Sequence, residues 1–487
     1  MTIEVCKRIA IIGGGFSGAS SAVQWVRKIP QALDITIYEP RAQPGHGLAY
    51  STLDQSFRLN AHAGLHDIDI ADPGHLLRWC SKEALAHRDP GAFAPNGQIF
   101  LRRADYGRYL AETVQAHAHW PATGSRIRHQ RMRVSDVLFG DDGATLTLDD
   151  GSKEAADHVI LATGNAKPRV PVMLGNELSR HPGVRADPLS EGLEGIASAS
   201  RVLVIGTGLT ALDMIAGLLD RGHTGTILAV SRRGLRPRPQ PPPVFLPPPS
   251  EKPPAIEPLD LLEGPLPPYA VAEDARDLRV LLRGLRAHIS AVEAQGLSWH
   301  AAFDALVLVV ARIWPALPLR EQLRFLRLLR PWYDVHRFRS PPMTESAVLA
   351  AERAGQVTYR AARLRAVTPN ADGTLTAVLE NRKTGPTSTT VDIIINCSGL
   401  DSGKPLSGNP LLASLAERGM VTPHPNGVGF LTDAACRAVT AAGTQRPDLR
   451  IIGPPTAGVF GDPLGALFIS AQIHRSLPAF VDDLTAS

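Results

Sequence analysis

The stretch KRIAIIGGGFSG, from Lys7 to Gly18, decides the fold. A short apolar run from Arg8 to Ile12 has the composition of a buried strand. Gly13, Gly15 and Gly18 follow it in the pattern G-x-G-x-x-G, and an amphipathic helix is expected to open within this pattern. A second strand-like run and an acidic residue come next. Strand, glycine-rich turn, helix, strand and acid in this order predict a dinucleotide-binding βαβ unit.

Each part of this pattern has a physical reason. Gly13 permits the tight turn, Gly15 lets the backbone approach a pyrophosphate, and Gly18 lets helix and strand pack closely. The N-terminus of the helix that opens at Phe16 would face the phosphate charge. Glu39, after the second run, would accept hydrogen bonds from a ribose. We therefore expect a nucleotide at this turn.

A second unit of the same kind begins about 200 residues later in the chain. Val202 to Ile205 is the strand, and Gly206, Gly208 and Ala211 give G-x-G-x-x-A. The next strand is followed by Ser231-Arg232-Arg233 and not by an acid. A guanidinium pair in this position matches the charge of an NADP 2′-phosphate and can bind it bidentately. The second unit is therefore predicted to bind NADPH in preference to NADH.

Small residues end two further strands. An apolar run closes in Ala162-Thr163-Gly164-Asn165, and a later run closes in Cys397-Ser398-Gly399. In a nucleotide-binding sheet the chain passes close to the ligand at such points, where small residues are needed. We expect each turn to lie beside one of the two nucleotides.

Composition limits the other classes of function. The chain has 487 residues, enough for two or three domains, and a net charge of +4 without any long Lys/Arg block, so nucleic acid is not an expected partner. The four cysteines form no C-x-x-C, and the spacings of the histidines match no common ligand pattern; a disulfide framework and a metal site are not expected. No apolar run reaches about 18 residues. A cytoplasmic protein without a membrane partner is predicted, and homo-oligomer formation stays open.

Three other segments stand out. Residues 45–79 lack clear periodicity and are too long for a simple connection, so we interpret them as a functional loop in which Tyr50 and Asn60 line a flat ligand. More than half of residues 237–254 are proline, which predicts an extended linker. Apolar residues at helical spacing predict a helical insertion over 272–345.

Several of these motifs together resemble a known family. They are GHGLAYST (45–52), HLLRW (75–79), ATGN (162–165), IGTGLTALD (205–213), SRRG (231–234), WYDVHRFR (332–339) and INCSG (395–399). In this order they resemble the two-dinucleotide-binding-domain flavoproteins, and among them the FAD/NAD(P)-binding family related to flavin-dependent N-hydroxylating monooxygenases. The resemblance covers nearly the whole chain.

The resemblance implies an α/β fold with two Rossmann-like dinucleotide-binding domains, one for FAD and one for NADPH, the second inserted in the first. The expected boundaries are residues 1–170 and 401–487 for the two parts of the FAD-binding domain, and residues 171–400 for the NADPH-binding domain. The latter contains the proline-rich linker 237–254 and the helical insertion 272–345.

The resemblance also implies the site residues. The residues expected at FAD are Gly13, Gly15, Phe16, Ser17, Gly18, Glu39, Pro40, Tyr50, Asn60, Arg103, Thr163, Gly164 and Asp462. Those expected at NADPH are Gly206, Thr207, Gly208, Leu209, Thr210, Ser231, Arg232 and Arg233, with Ser398 and Gly399 at the second small-residue turn. Asn60 and Tyr50 are the expected catalytic residues. Asp462-Pro463 is expected to be the N-cap and first residue of a terminal helix that ends near Phe480 and faces the flavin pyrimidine.

The implied activity is that of an FAD-dependent, NADPH-consuming monooxygenase. It would oxidise a small nucleophilic substrate, with an amine nitrogen preferred, through a flavin peroxide formed from O2. Two departures from the family pattern disfavour ketone oxygenation: an F-x-G-x-x-x-H run is missing, and Phe460-Gly461-Asp462-Pro463 stands where relatives often carry Trp-Glu. An NADPH-dependent flavoprotein reductase or dehydrogenase without oxygen insertion, or a flavin-binding sensor, stays open as an alternative.

Overall fold

The computed structural model describes residues 6–52, 54–166, 168–241, 258–271, 276–401, 406, 408–462 and 464–486. The strands in these ranges are β1 (Lys7–Ile12), β2 (Leu33–Tyr38), β3 (His119–Trp120), β4 (Ser125–Gln130), β5 (Val134–Gly140), β6 (Gly143–Leu148), β7 (Lys153–Ala156), β8 (His158–Leu161), β9 (Val184–Arg185), β10 (Val202–Ile205), β11 (Ile227–Ser231), β12 (Val357–Ala361), β13 (Arg363–Pro369), β14 (Leu375–Asn381), β15 (Gly385–Val391), β16 (Ile393–Asn396), β17 (Arg437–Val439) and β18 (Gln445–Ile451).

The α-helices of the same ranges are α1 (Phe16–Lys28), α2 (His75–Lys82), α3 (Leu85–Arg88), α4 (Arg103–Ala116), α5 (Gly175–Leu178), α6 (Pro188–Glu191), α7 (Leu209–Asp220), α8 (Pro258–Glu263), α9 (Pro268–Val271), α10 (Leu278–Ala294), α11 (His300–Ile313), α12 (Leu319–Leu328), α13 (Arg330–Arg337), α14 (Pro342–Arg353), α15 (Pro410–Glu417), α16 (Ala457–Phe460) and α17 (Ala466–Ala486).

The first unit is built on a seven-stranded sheet of order β17-β18-β8-β1-β2-β4-β3, parallel except at its two edges. Its central strands are apolar on both faces because both faces are covered. Helices α1 and α17 cover one face, where the rings of Trp25 and Phe480 lie 4.4 Å apart. The small sheet β5-β6-β7 and helix α15 cover the other face and share one apolar cluster with it. Both ends of the chain thus contribute to one sheet.

The second unit is built on a parallel five-stranded sheet of order β12-β11-β10-β16-β9. Helices α7 and α14 pack on one face, and the antiparallel sheet β13-β14-β15 packs on the other. All of its strands come from between β8 and β17 of the first sheet. The α/β architecture with a second nucleotide-type unit inserted in the first is therefore confirmed, while the domain boundaries to the residue stay a prediction.

The helical insertion lies between β11 and β12 of the second unit and comprises α8 to α14. Its helices begin at Pro258, before the predicted start at residue 272. Much of it packs on the first unit: the Trp314 indole N–H donates to the Gly458 carbonyl at 2.8 Å, and the Asn426 amide donates to Gln322 at 2.9 Å. The predicted proline-rich linker lies largely in residues 242–257, outside the described residues.

The terminal helix corrects one prediction. Helix α17 runs from Ala466 to Ala486 and not from the Asp462-Pro463 pair to Phe480; Pro463 is outside the described residues. Asp462 does not cap it, because its carboxylate accepts hydrogen bonds from Tyr333 and Arg337 of α13. No helix in the part of the chain that the structure describes is both long and apolar enough to cross a bilayer.

Candidate functional site

The first glycine-rich turn contains glycines of two kinds. Gly13 has φ +107°, and a methyl group on it would overlap the Ala162 carbonyl oxygen; one on Gly18 would overlap the Gly13 carbonyl oxygen. These two glycines are required by the fold itself. Gly15, at the N-cap of α1, has an ordinary φ of −73°, and a methyl group there would meet only the Gly47 Cα at 3.6 Å. Its small size leaves room for a ligand.

The second turn repeats this division. Gly206 has φ +118°, and a methyl group on it would overlap the Cys397 carbonyl oxygen. Gly208, at the N-cap of α7, has φ −84°, and a methyl group on it would meet no described atom within 4 Å. Neither α1 nor α7 has a side-chain cap, so their first N–H groups and the positive ends of their dipoles are left for a ligand. Both turns therefore fit an approaching pyrophosphate.

Glu39 lies beside the first turn, as expected for a ribose-binding acid. Its side chain is buried, and its two oxygens accept hydrogen bonds from the Gly14 N–H at 3.1 Å and the Arg41 N–H at 3.0 Å. These contacts fix the carboxylate at the C-terminal end of β2. Pro40, the next residue, is exposed.

The small-residue turn after β8, Ala162 to Asn165, also lies beside the first glycine-rich turn. The Ala162 N–H donates to the Ile12 carbonyl at 2.9 Å, which places Thr163 and Gly164 directly after the paired strand ends. A methyl group on Gly453, just after β18, would overlap the Ser17 hydroxyl at the start of α1. Three strand ends thus meet at one helix N-terminus.

Tyr50, in the loop 45–79, is connected to the first turn through aromatic rings. Its ring meets the Tyr106 ring edge-on at 4.8 Å, and Tyr106 stacks at 6.4 Å on Phe16, the first residue of α1. Burial raises the pKa of Tyr50. Burial also lowers the pKa of His66, whose ring lies 5.4 Å from Tyr106, to about 4, so this imidazole is neutral at pH 7. The part of the chain that the structure describes holds no cluster of three or more residues suited to a metal ion.

Asn60 and Arg103 both lie where the two units meet. The main-chain carbonyl of Asn60 accepts a hydrogen bond at 2.8 Å from the side-chain amide of Gln240, in the segment that follows the second unit's arginines. Arg103, expected at FAD, forms an ion pair at 2.5 Å with Asp213 on α7 of the second unit. Burial raises the pKa of Asp213 to about 6, while Arg103 acts in the opposite direction. Arg103 therefore joins the units, a role that a periodic sequence pattern does not reveal.

The turn after β11 is held by its own hydrogen bonds. The Ser231 hydroxyl accepts hydrogen bonds from the Thr207 hydroxyl at 2.8 Å and from the Gly234 N–H at 3.0 Å. Leu209 and Thr210 open α7 beside it. The expected NADPH residues of both strands are thus brought together at one edge of the sheet.

Four arginines gather at this edge. Partial burial and the neighbouring charges of Arg169, Arg233 and Arg363 lower the pKa of Arg232. Among the described residues, none of the four guanidinium groups forms an ion pair with a carboxylate. Such unbalanced positive charge suits a phosphate.

Two of these arginines were missed in the sequence. Arg169 follows the ATGN turn. Its main-chain carbonyl accepts a hydrogen bond from the Ser398 hydroxyl at 3.0 Å, and its main-chain N–H donates to the Gly399 carbonyl. Arg363 begins β13, directly after β12, which pairs with β11 in the sheet. Sheet order brings them close, and sheet order cannot be read from a single motif.

Comparison with known proteins agrees with this geometry. Residues 10–166 match a family model described as FAD-NAD(P)-binding. No curated protein matches the sequence.

Solved structures match the whole chain. An ornithine N-hydroxylase from Kutzneria sp. 744, in a structure with reduced FAD, NADP+ and L-ornithine, is 15% identical, with a TM-score of 0.63 over 99% of this chain and 100% of that one. An L-lysine 6-monooxygenase from Pseudomonas syringae is 15% identical, with a TM-score of 0.63 over 98% of this chain and 100% of that one. A cadaverine monooxygenase of the desferrioxamine pathway from Erwinia amylovora is 12% identical, with a TM-score of 0.63 over 99% of this chain and 94% of that one. The chain has the same fold as these proteins, which is the fold that the resemblance noted in the sequence implies.

Proposed function

We propose that this chain, which has the fold of the N-hydroxylating flavin monooxygenases and a FAD-NAD(P)-binding match over residues 10–166, is an FAD-dependent, NADPH-consuming monooxygenase. Its substrate is a small molecule that is oxidised on an amine nitrogen with O2. The observation that carries the proposal is the pair of glycines, Gly15 and Gly208, that neither backbone conformation nor packing requires. Two such positions on two sheets support two dinucleotides on one chain.

The residues have separate proposed roles. The backbone of α1 from Gly15 holds the FAD pyrophosphate, and Glu39 holds its ribose. The backbone of α7 from Gly208 holds the NADPH pyrophosphate, and the arginines around Arg232 bind the 2′-phosphate. When bound, NADPH supplies a hydride and FAD supplies the oxygen-activating redox chemistry.

The loop 45–79 and the helical insertion have the task of excluding water from the reacting groups. Tyr50 lies beside the aromatic rings at the start of α1, and Asn60 lies where the segment from the second unit arrives. We propose that these two side chains face the flavin and the oxidised substrate. No triad or carboxylate pair is needed for such a reaction, because the cofactors carry the chemistry.

An amine substrate is supported by the structural neighbours. The three described above are an ornithine hydroxylase, a lysine monooxygenase and a cadaverine monooxygenase, which all act on small molecules with amine groups. The experiment below identifies the particular amine.

The test is oxygen uptake by the FAD-loaded protein with NADPH and a panel of diamines and amino acids, with product analysis by mass spectrometry. The proposal expects uptake that depends on an amine and a product that has gained one oxygen atom. The Gly15→Leu variant, in which the larger side chain is expected to exclude FAD, is the matched negative control. NADPH consumption that yields only hydrogen peroxide with every amine would contradict the oxygenase and favour the reductase.

A further inference from the structure

Asp462 is a buried carboxylate with one oxygen left over. Its side chain is 3% exposed, and Oδ2 accepts hydrogen bonds from the Tyr333 hydroxyl at 3.0 Å and from the Arg337 Nε–H at 2.9 Å. Oδ1 is also buried, and no donor in the described part of the chain reaches it. A buried carboxylate oxygen normally has a partner, so this atom calls for a donor from outside the described part of the chain.

The position of Asp462 is next to the candidate flavin region. Arg337 lies with its guanidinium over the Phe468 ring at 5.0 Å. Phe468, near the start of α17, packs in one apolar cluster with Leu65 of the loop 45–79. Arg337 is also close enough to His66 to contribute to the lowering of its pKa. The helical insertion, the loop and the C-terminal segment therefore meet at this carboxylate.

The same region is joined to Asn60. The Val335 carbonyl of α13 accepts a hydrogen bond from the Arg238 N–H at 2.8 Å. Two residues later Gln240 donates to the Asn60 carbonyl. The helix that holds Asp462 is thus connected by a short piece of chain to the residue expected to be catalytic.

We propose that Asp462 Oδ1 accepts a hydrogen bond from an N–H group of the amine substrate and is a specificity-determining residue. This inference rests on the proposed function. A carboxylate oxygen can only accept, so it selects an N–H or O–H donor and disfavours a ligand that offers only acceptors. Because Arg337 already balances the charge, Asp462 can hold an uncharged amine, whose lone pair is required for attack on oxygen.

The surroundings favour substrate over cofactor as the missing donor. The two groups that hold Asp462 belong to the helical insertion and not to either glycine-rich turn. Function depends on sites grafted onto a common fold, and this insertion is such an addition to the nucleotide-binding fold. The neighbouring acid Asp334 pairs with Arg330 at 2.6 Å, and its side chain is partly exposed to solvent. Among the described residues of this cluster, Asp462 is therefore the acid whose unpaired oxygen is buried.

The experiment compares Asp462→Asn with the wild type and with Asp334→Asn, a matched control in the same cluster. Cadaverine, L-lysine and L-ornithine are titrated into the oxidised, FAD-loaded proteins without NADPH, and the flavin absorbance change gives a Kd. Loss of a charge-assisted hydrogen bond should raise the Kd of the binding amine about tenfold or more in Asp462→Asn. Asp334→Asn should remain within about threefold of the wild type, and FAD content and the KM for NADPH should be unchanged in both.

Three results would overturn the inference. The first is an unchanged amine Kd in Asp462→Asn. The second is loss of FAD from that variant, which would mean that Asp462 Oδ1 contacts the cofactor and not the substrate. The third is no binding of any of the three amines by the wild type. Failure of the proposed function looks different. In that case the amine binds in an Asp462-dependent way, but no product gains oxygen when NADPH and O2 are added.

Discussion

The two glycines of the second glycine-rich turn, Gly206 and Gly208, should respond differently to replacement by alanine. In Gly206→Ala, φ +118° is strained for an L-residue and the methyl group overlaps the Cys397 carbonyl oxygen. We expect the free energy of unfolding to fall by about 3 kcal/mol or more. In Gly208→Ala the backbone conformation is ordinary and the methyl group meets no described protein atom within 4 Å. Only the N-cap preference for glycine over alanine is lost, about 0.5 to 1 kcal/mol.

The replacement that costs little stability, Gly208→Ala, should be the one that strongly weakens the binding of NADP+ relative to that cost. In the proposed arrangement the methyl group of Gly208→Ala occupies the place where the NADPH pyrophosphate approaches α7. We expect the Kd for NADP+ to rise about tenfold or more, which corresponds to about 1.4 kcal/mol. Urea denaturation measures the stability of each variant, and isothermal titration of NADP+ into the FAD-loaded protein measures the affinity.

An unchanged NADP+ affinity in Gly208→Ala would refute the reasoning, because the backbone would then not lie against the dinucleotide. Gly15→Ala provides the matched test in the first unit, since its methyl group meets only the Gly47 Cα, at an ordinary contact distance of 3.6 Å. It should weaken retention of FAD and leave the NADP+ affinity of reconstituted protein nearly unchanged. Equal loss of both cofactors in both variants would indicate general damage and not two separate sites.

Three further outcomes are expected. Replacing Arg232 and Arg233 by Ala should raise the KM for NADPH about tenfold or more while the KM for NADH changes little, because a charge-assisted contact to the 2′-phosphate is lost; steady-state kinetics with both nucleotides checks it, and equal changes would remove the assignment. Arg103→Leu should destabilise the protein by about 3 kcal/mol by leaving Asp213 buried and unpaired, and Arg103→Leu with Asp213→Leu should cost less than the sum of the single changes in a double-mutant cycle by urea denaturation. Burial raises the pKa of Asp67, a buried residue of the loop 45–79, to about 6. As the pH rises from 4 to 6, the unfolded chain ionises this carboxyl while the folded state keeps it protonated, so the wild type should lose up to about 3 kcal/mol of stability relative to Asp67→Asn. Chemical unfolding across this range measures the difference, and a difference that does not change with pH would contradict it.

The sequence alone was sufficient for most of the fold. The strand Val202–Ile205 and the start of α1 at Phe16 were predicted to the residue, because apolar runs and glycine-rich turns depend on local chemistry. The terminal helix was misplaced because Asp462-Pro463 has the composition of a helix start. Its carboxylate is held instead by α13, more than a hundred residues away in the chain, and no local pattern reports such a contact.

The candidate site was predictable in part for the same reason. The glycine-rich turns carry their geometry in the sequence, since Gly13 and Gly206 need a positive φ. Arg169 and Arg363 could not be found, because they reach Arg232 only through the order of strands in the second sheet. Contacts that depend on which strands are neighbours need the three-dimensional structure.

The segment that follows Arg233 gives the two candidate sites a common boundary. Gln240 lies seven positions after Arg233, and a fully extended chain of this length spans up to about 25 Å. At one end lie the arginines proposed for the 2′-phosphate, and at the other end Gln240 donates to Asn60 of the first unit. In the proposed arrangement the arginines would hold the 2′-phosphate of NADPH at one end of this segment, and the loop 45–79 and α13 lie at its other end. The helical insertion packs on the first unit although its sequence interrupts the second. This segment and the insertion that follows it would therefore border both candidate sites and help to exclude water from the reacting groups.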